Sequence, residues 1–189
     1  MWLYSYASSL SSVLVDAIMT TPALAAAAAT LLFAFAMTHA GLTDLTTNKI
    51  RNSLVLLLLL GYGVLAPLAG FTAYEMGWSI AVALAVLLFA FMLFAMGWIG
   101  GGDAKLAAVT ALWFGANNTL AYFLCMALLG GLFALIIQLF RMQPLPERLL
   151  SKPWIVQLHA SGAKMPYGVA MALAALIVFP STSWITAIF

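Results

Sequence analysis

The charged residues of this chain stand too far apart for a water-soluble fold. Between Asp16 and Asp44 lie 27 uncharged residues, between Arg51 and Glu75 there are 23, and between Glu75 and Asp103 another 27. A further 35 separate Lys105 from Arg141, and 25 follow Lys164. The stretches are apolar as well as uncharged: 66% of the 189 residues are hydrophobic and 6% are charged. Soluble domains carry about 25% charged residues, and a helix needs roughly 20 apolar residues to cross the hydrocarbon core of a bilayer. The chain is therefore read as all-α, a polytopic membrane protein forming a single domain over 1–189. Its lipid-facing surface makes membrane lipid a partner. A scattered net charge of +2 excludes a nucleic-acid surface. The single cysteine, Cys125, excludes an internal disulfide and any zinc site built on two or more thiolates, and no metal or other cofactor is expected.

As one helix, the 35-residue stretch would be about 52 Å long against a core of about 30 Å. Gly115-Ala116-Asn117-Asn118 offers a turn that divides it. Six helices follow, at 21–40, 53–71, 77–98, 103–115, 119–140 and 166–187. The loops 41–52, 99–105 and 141–165 then share one side and hold all seven basic residues: Lys49, Arg51, Lys105, Arg141, Arg148, Lys152 and Lys164. The positive-inside rule places these loops in the cytoplasm and both termini outside. Within residues 1–20, Leu10, Val13, Leu14 and Ile18 recur at helical spacing behind Trp2, Tyr4 and Tyr6, which predicts a short interfacial helix on the outer face. No basic stretch opens this segment as it would a signal peptide, and Asp16 interrupts it.

The five acidic residues can be weighed one by one. Asp16 and Glu75 fall near the outer interface, and Glu147 sits beside Arg148 in the longest loop, as a solvated pair would. Asp44 and Asp103 each follow directly on a hydrophobic span, on the cytoplasmic side, where a carboxylate near hydrocarbon costs a few kcal/mol. Asp103 closes Gly100-Gly101-Gly102-Asp103 and is placed to be the N-cap of the next helix. The glycines also allow another helix, or an extended peptide, to approach the carboxylate. Asp44 could be no more than a polar loop residue at a helix end. Two carboxylates at similar depth nevertheless form a candidate aspartyl dyad that shares a proton. One then acts as general base on a water while the other, protonated, polarises a carbonyl and later protonates the leaving amine.

These residues bring a family into view. The chain resembles the type IV prepilin peptidases, aspartic membrane proteases with a GxGD motif. Asp44, Ile50 and Asn52 match the first motif of that family, and Gly100, Gly102, Asp103 and Lys105 the second. Pro166-Tyr167-Gly168 matches a third, and the order of motifs agrees. The resemblance implies that Asp44 and Asp103 are catalytic. It implies weaker supporting roles for Gly100, Gly102, Lys105, Asn52, Pro166 and Gly168, with no metal. Arg51 stands where the family usually has Pro. Larger members carry an insert with two Cys-x-x-Cys pairs and an N-methyltransferase activity. With one Cys, this chain resembles the short, peptidase-only branch that often serves tight-adherence (Flp-type) pili, without methylation. The implied partner is a prepilin whose short basic leader is cut on the cytoplasmic side, just after Gly and before a hydrophobic helix, at the bacterial inner membrane.

The residues alone leave other readings open. Lys105 can snorkel to the interface or steady the site, and Asn52 can hydrogen-bond near Asp44 or cap the second span. Pro166 and Gly168 fit an irregular helix start or a plain one. A proton- or cation-coupled transporter, with the same two Asp as ion ligands, is the rival from another class, and a non-catalytic scaffold is a third.

Overall fold

The structure is a computed structural model. It describes the backbone of residues 2–160 and 164–188, and the side chains of 20–146, 148–160 and 164–188. Among the described residues all regular structure is helical. The helices are α1 (Trp2–Thr47), α2 (Asn52–Leu68), α3 (Ala73–Ala95), α4 (Gly101–Arg141), α5 (Glu147–Leu150), α6 (Pro153–His159), α7 (Tyr167–Val178) and α8 (Ser183–Thr186). Three segments are long and apolar enough to cross a membrane: Thr20–Thr47, Ala73–Ala95 and Gly101–Arg141. Shorter apolar helices run over Asn52–Leu68 and Tyr167–Ser181. This architecture is that of a polytopic membrane protein.

The long α4 is two helices joined by a reversal. Gly115 has φ 62° and ψ −169°, a region open essentially to glycine alone. The break falls where the Gly-Asn-Asn stretch predicts it. A reversal strands the last carbonyls of the first half, which must find other donors. Trp184 Nε1 donates to the Trp113 carbonyl at 3.0 Å, and Thr119 Oγ1 to that of Ala111 at 3.4 Å. The second half runs back, so that Gly130 lies against Tyr167 and Ala170 at the start of α7. The molecule therefore has two ends. At one, Gly115 meets Phe71, Tyr74 and Trp184. At the other, the end of α1 meets the starts of α4 and α7.

Helix association in lipid relies on close packing and internal hydrogen bonds, because lipid tails are as apolar as leucine. The buried face of α1 is built for this from Ala25, Ala26, Ala29, Phe33, Ala36, Met37 and Ala40, at helical spacing. On α2, Leu54, Leu58, Tyr62 and Ala66 form a buried row with every fourth residue inward. Between them and α7 sits an aromatic centre, where Phe33 stacks on Phe179 at 4.3 Å and Trp113 meets Trp184 at 4.9 Å. Trp113 Nε1 donates to the Leu58 carbonyl at 3.1 Å, pinning α2 to the first half of α4.

Several sequence expectations need correction. The first span does not end at residue 40: α1 continues to Thr47, so Asp44 lies on a helix and not in a loop over 41–52. Thr43 and Thr47 hydroxyls bond back to the carbonyls of His39 and Thr43, which satisfies polar groups within the helix as it leaves the core. It stops at Asn48, whose φ of 50° is left-handed and whose N–H donates to the Asp44 carbonyl. Asp103 is not the N-cap of its helix. Gly100 holds that position, and Asp103 is the third helical residue, its Oδ2 reaching back to the Gly100 N–H at 3.2 Å. The last span does not run unbroken to 187, because Pro180 has no N–H to continue α7, which gives way to a 3₁₀ turn over Phe179–Ser181 and then α8. Residues 141–165 are not a plain loop, since they contain α5 and α6. The helix expected over 1–20 is continuous with the first span in α1, and the side chains on which its interfacial placement depends lie outside those described.

Candidate active site

Asp44 sits in the last turn of α1 and is 4% exposed. A carboxylate so deeply buried needs donors. One comes from α7: the Gly168 N–H donates to Asp44 Oδ2 at 2.7 Å. Gly168 is in the first turn of α7, so Asp44 serves that helix as a capping carboxylate supplied by a different helix. Pro166, fully buried at the N-cap of α7, holds the chain entering this turn with its fixed φ. A Cβ on Gly168 would lie 2.8 Å from both Cβ and Oδ2 of Asp44, so only glycine fits here.

Asp103 comes to the same place on the first turn of α4. Asp44 and Asp103 line one cavity of about 480 Å³, within electrostatic reach of one another. Its walls are Asp44 and the residues just after α1, the 97–103 segment that leads into and opens α4, and Lys164, Met165 and Tyr167 before and at the start of α7. Gly102 lets the chain after α1 close against α4: a Cβ there would be 3.1 Å from that of Ile50. Gly100 supplies the N–H held by Asp103. The site is thus assembled from α1, α4 and α7, with α7 packed against both of the others.

Two residues of the matched motifs stand elsewhere. Lys105 Nζ donates to Asn52 Oδ1 at 3.0 Å in an exposed contact that ties the start of α4 to the start of α2. Asn52 thus bonds to neither Asp44 nor the end of its own helix, where Arg51 is the N-cap and no side chain caps.

Two further residues join the cavity that sequence reasoning passed over. Lys164 lines it, with its charge acting on Asp103. The sequence marked Lys164 only as one of the basic residues that set orientation. Asn48 also lines the cavity, and among the described residues its Oδ1 is buried with no hydrogen-bond partner. The signal for it was faint: an Asn four residues beyond an Asp, at a helix end where left-handed backbone favours Asn. No group of three or more His, Cys, Asp and Glu among the described residues could hold a metal ion.

A carboxylate pair, one member buried and the other partly exposed, in a cavity with room for a peptide segment can activate water and protonate a leaving amine. The chain matches the type IV leader peptidase family over residues 9–135, a stretch that contains Asp44 and Asp103 and stops short of Pro166 and Gly168. No curated protein and no solved structure matches it significantly. With the match spanning more than half of the chain, this protein belongs to the type IV leader peptidase family, the membrane-bound aspartic peptidases that act on prepilins.

Proposed function

We propose that Asp44 and Asp103 are the catalytic pair and that the protein removes the leader of a Flp-type prepilin on the cytoplasmic face of a bacterial inner membrane. The observation that carries this reading is the sharing of one cavity by Asp44, in the last turn of α1, and Asp103, in the first turn of α4, two carboxylates on apolar helices far apart in sequence. One carboxylate takes a proton from the attacking water. The other, protonated, polarises the scissile carbonyl and then delivers its proton to the departing amine. Lys164 balances charge at Asp103, and Asn48 offers an unused acceptor to a substrate N–H.

The orientation follows from charge. Lys49 and Lys164 line the cavity itself, and Lys105 and Arg141 stand at the start and end of α4, which folds back on itself between them. With six crossings, all seven basic residues face the cytoplasm and both termini lie outside. The single cysteine supports a peptidase without the Cys-x-x-Cys insert and without methyltransferase activity.

The test is co-expression with a tagged Flp-type prepilin, comparing the wild type with Asp44→Asn and Asp103→Asn at equal membrane levels. An Asn side chain keeps an oxygen for the Gly168 and Gly100 N–H groups, so both variants should fold. The expected outcome is leader removal by the wild type and a loss of at least about 1000-fold in each variant, with the double variant no worse than either single one. Full cleavage by either Asn variant rules out the dyad. Ion flux lost in place of cleavage would favour the transporter reading.

A further inference from the structure

Asp103 also stands at the end of a second, larger hollow. Its volume is about 840 Å³, and it lies between α3 and the returning half of α4, with Ala107 and Met171 in its floor. Its two rails are stripes at helical spacing: Val82, Ala85, Val86 and Phe89 on α3, and Ala116, Leu120 and Phe123 on α4. From Val82 to Leu93 the groove runs roughly 16 Å, about three turns of helix. Its sides open to lipid, since Ser79 and Ala90 are the only buried residues of α3. Phe89 and Leu120 stand at the rim, 65% and 68% exposed.

This groove and the polar cavity are continuous. Trp98, Ile99, Asp103 and Tyr167 line both. The groove therefore has one apolar run and one polar end, and the polar end carries a carboxylate. That polarity selects the occupant. A phospholipid lying in the groove would bring its phosphate to Asp103, the one charged group among the described residues that line the groove, like charge against like, while Lys49 and Lys164 line only the cavity beyond. A helix would bring backbone N–H groups, because the first four in any helix have no partner within it. Small residues on the rails and floor, Ala85, Ala107 and Ala116, let a helix backbone approach closely, as helix pairs in membranes require.

We infer that this groove is the docking site for the apolar helix of the substrate, laid against α3 and the second half of α4 with its N-terminal end at Asp103. The inference rests on the leader-peptidase reading and deepens it. Docking fixes which peptide bond reaches the carboxylates, namely the one just before the helix. The leader then passes into the polar cavity beside Asn48 and Lys164. Recognition thus belongs to the groove and chemistry to the cavity, and the two are separable by mutation.

Two tagged probes test this: a full-length Flp-type prepilin, and the same prepilin truncated a few residues beyond its cleavage site, so that it lacks the helix. Ala85→Trp and Leu120→Trp fill the groove from opposite rails, and Leu60→Trp, on the exposed face of α2, is the control. The ratio of full-length to truncated cleavage should fall at least about tenfold in both groove variants and stay at the wild-type value in the control. In an Asp44→Asn background, a photo-crosslinking residue at position 85 or 120 should capture the full-length prepilin through its apolar helix, and one at position 60 should not. An unchanged ratio in both groove variants while the wild type cleaves, or capture of phospholipid alone from positions 85 and 120, overturns the docking site and leaves the peptidase standing. If the wild type cleaves neither probe, the peptidase reading falls and the docking site with it. Comparison of detergent-extracted yield and melting temperature excludes misfolding as the cause of a lower ratio.

Discussion

The Gly168 N–H donates to Asp44 Oδ2 at 2.7 Å and joins two residues 124 positions apart in the chain. A carboxylate on α1 thereby caps α7, and α7 in turn fixes where that carboxylate points. In the proposed mechanism this orientation decides whether a water can be activated, since a displacement of about 1 Å can cost 100-fold in rate.

Gly168→Ala tests that relationship. The added methyl would sit 2.8 Å from Asp44 Oδ2, so the carboxylate must move. Leader cleavage should fall about 100-fold while the protein still reaches the membrane. Wild-type cleavage by this variant would show that the position of Asp44 has slack and that the contact with Gly168 is structural only.

Asn48 separates backbone from side chain. Its φ of 50° suits glycine equally well, so Asn48→Gly should preserve the end of α1 and alter the melting temperature little. The same variant removes the buried Oδ1 from the cavity. Loss of one hydrogen bond to the substrate predicts about a tenfold lower kcat/KM, measured on the truncated prepilin. A rate equal to wild type would remove Asn48 from the site.

Lys105 and Asn52 should matter little. Their contact is exposed, and such pairs contribute under about 1 kcal/mol. Lys105→Ala and Asn52→Ala should each keep cleavage within about threefold of wild type, and a double-mutant cycle on melting should give a small coupling. A loss above tenfold in Lys105→Ala alone would instead put its ammonium group in the reaction.

The reversal in α4 should be a stability hot spot. Gly115→Ala forces a side chain into backbone geometry that costs about 1–3 kcal/mol, with Ser79 Oγ only 3.1 Å away. Trp184→Phe keeps the ring packing and strands the Trp113 carbonyl, at a cost of about 1–3 kcal/mol. Both variants should melt several degrees lower in detergent, and the pair should show non-additive effects because they support the same turn. A wild-type melting temperature for Gly115→Ala would mean that the turn relaxes into another geometry.

The membrane class of this protein was legible without coordinates. Uncharged stretches of 23 to 35 residues leave few alternatives, since backbone polar groups in lipid are satisfied only by helices or closed barrels. The break at Gly115 was legible as well, because glycine beside two asparagines is a local signal with a local cause. Helix ends were not. Thr43 and Thr47 carry α1 past the point where hydropathy alone would stop it, and Pro180 stops α7 short. What the chain order could not express is which polar groups meet. Asp44 and Asp103 share a cavity, Asp44 takes its hydrogen bond from Gly168, and Lys105 turns away to Asn52. Local patterning determines which segments become helices, because propensity, hydropathy and turn chemistry act over a few residues. Which faces of those helices come together depends on close packing among α1, α2, α4 and α7, and only the tertiary structure decides it.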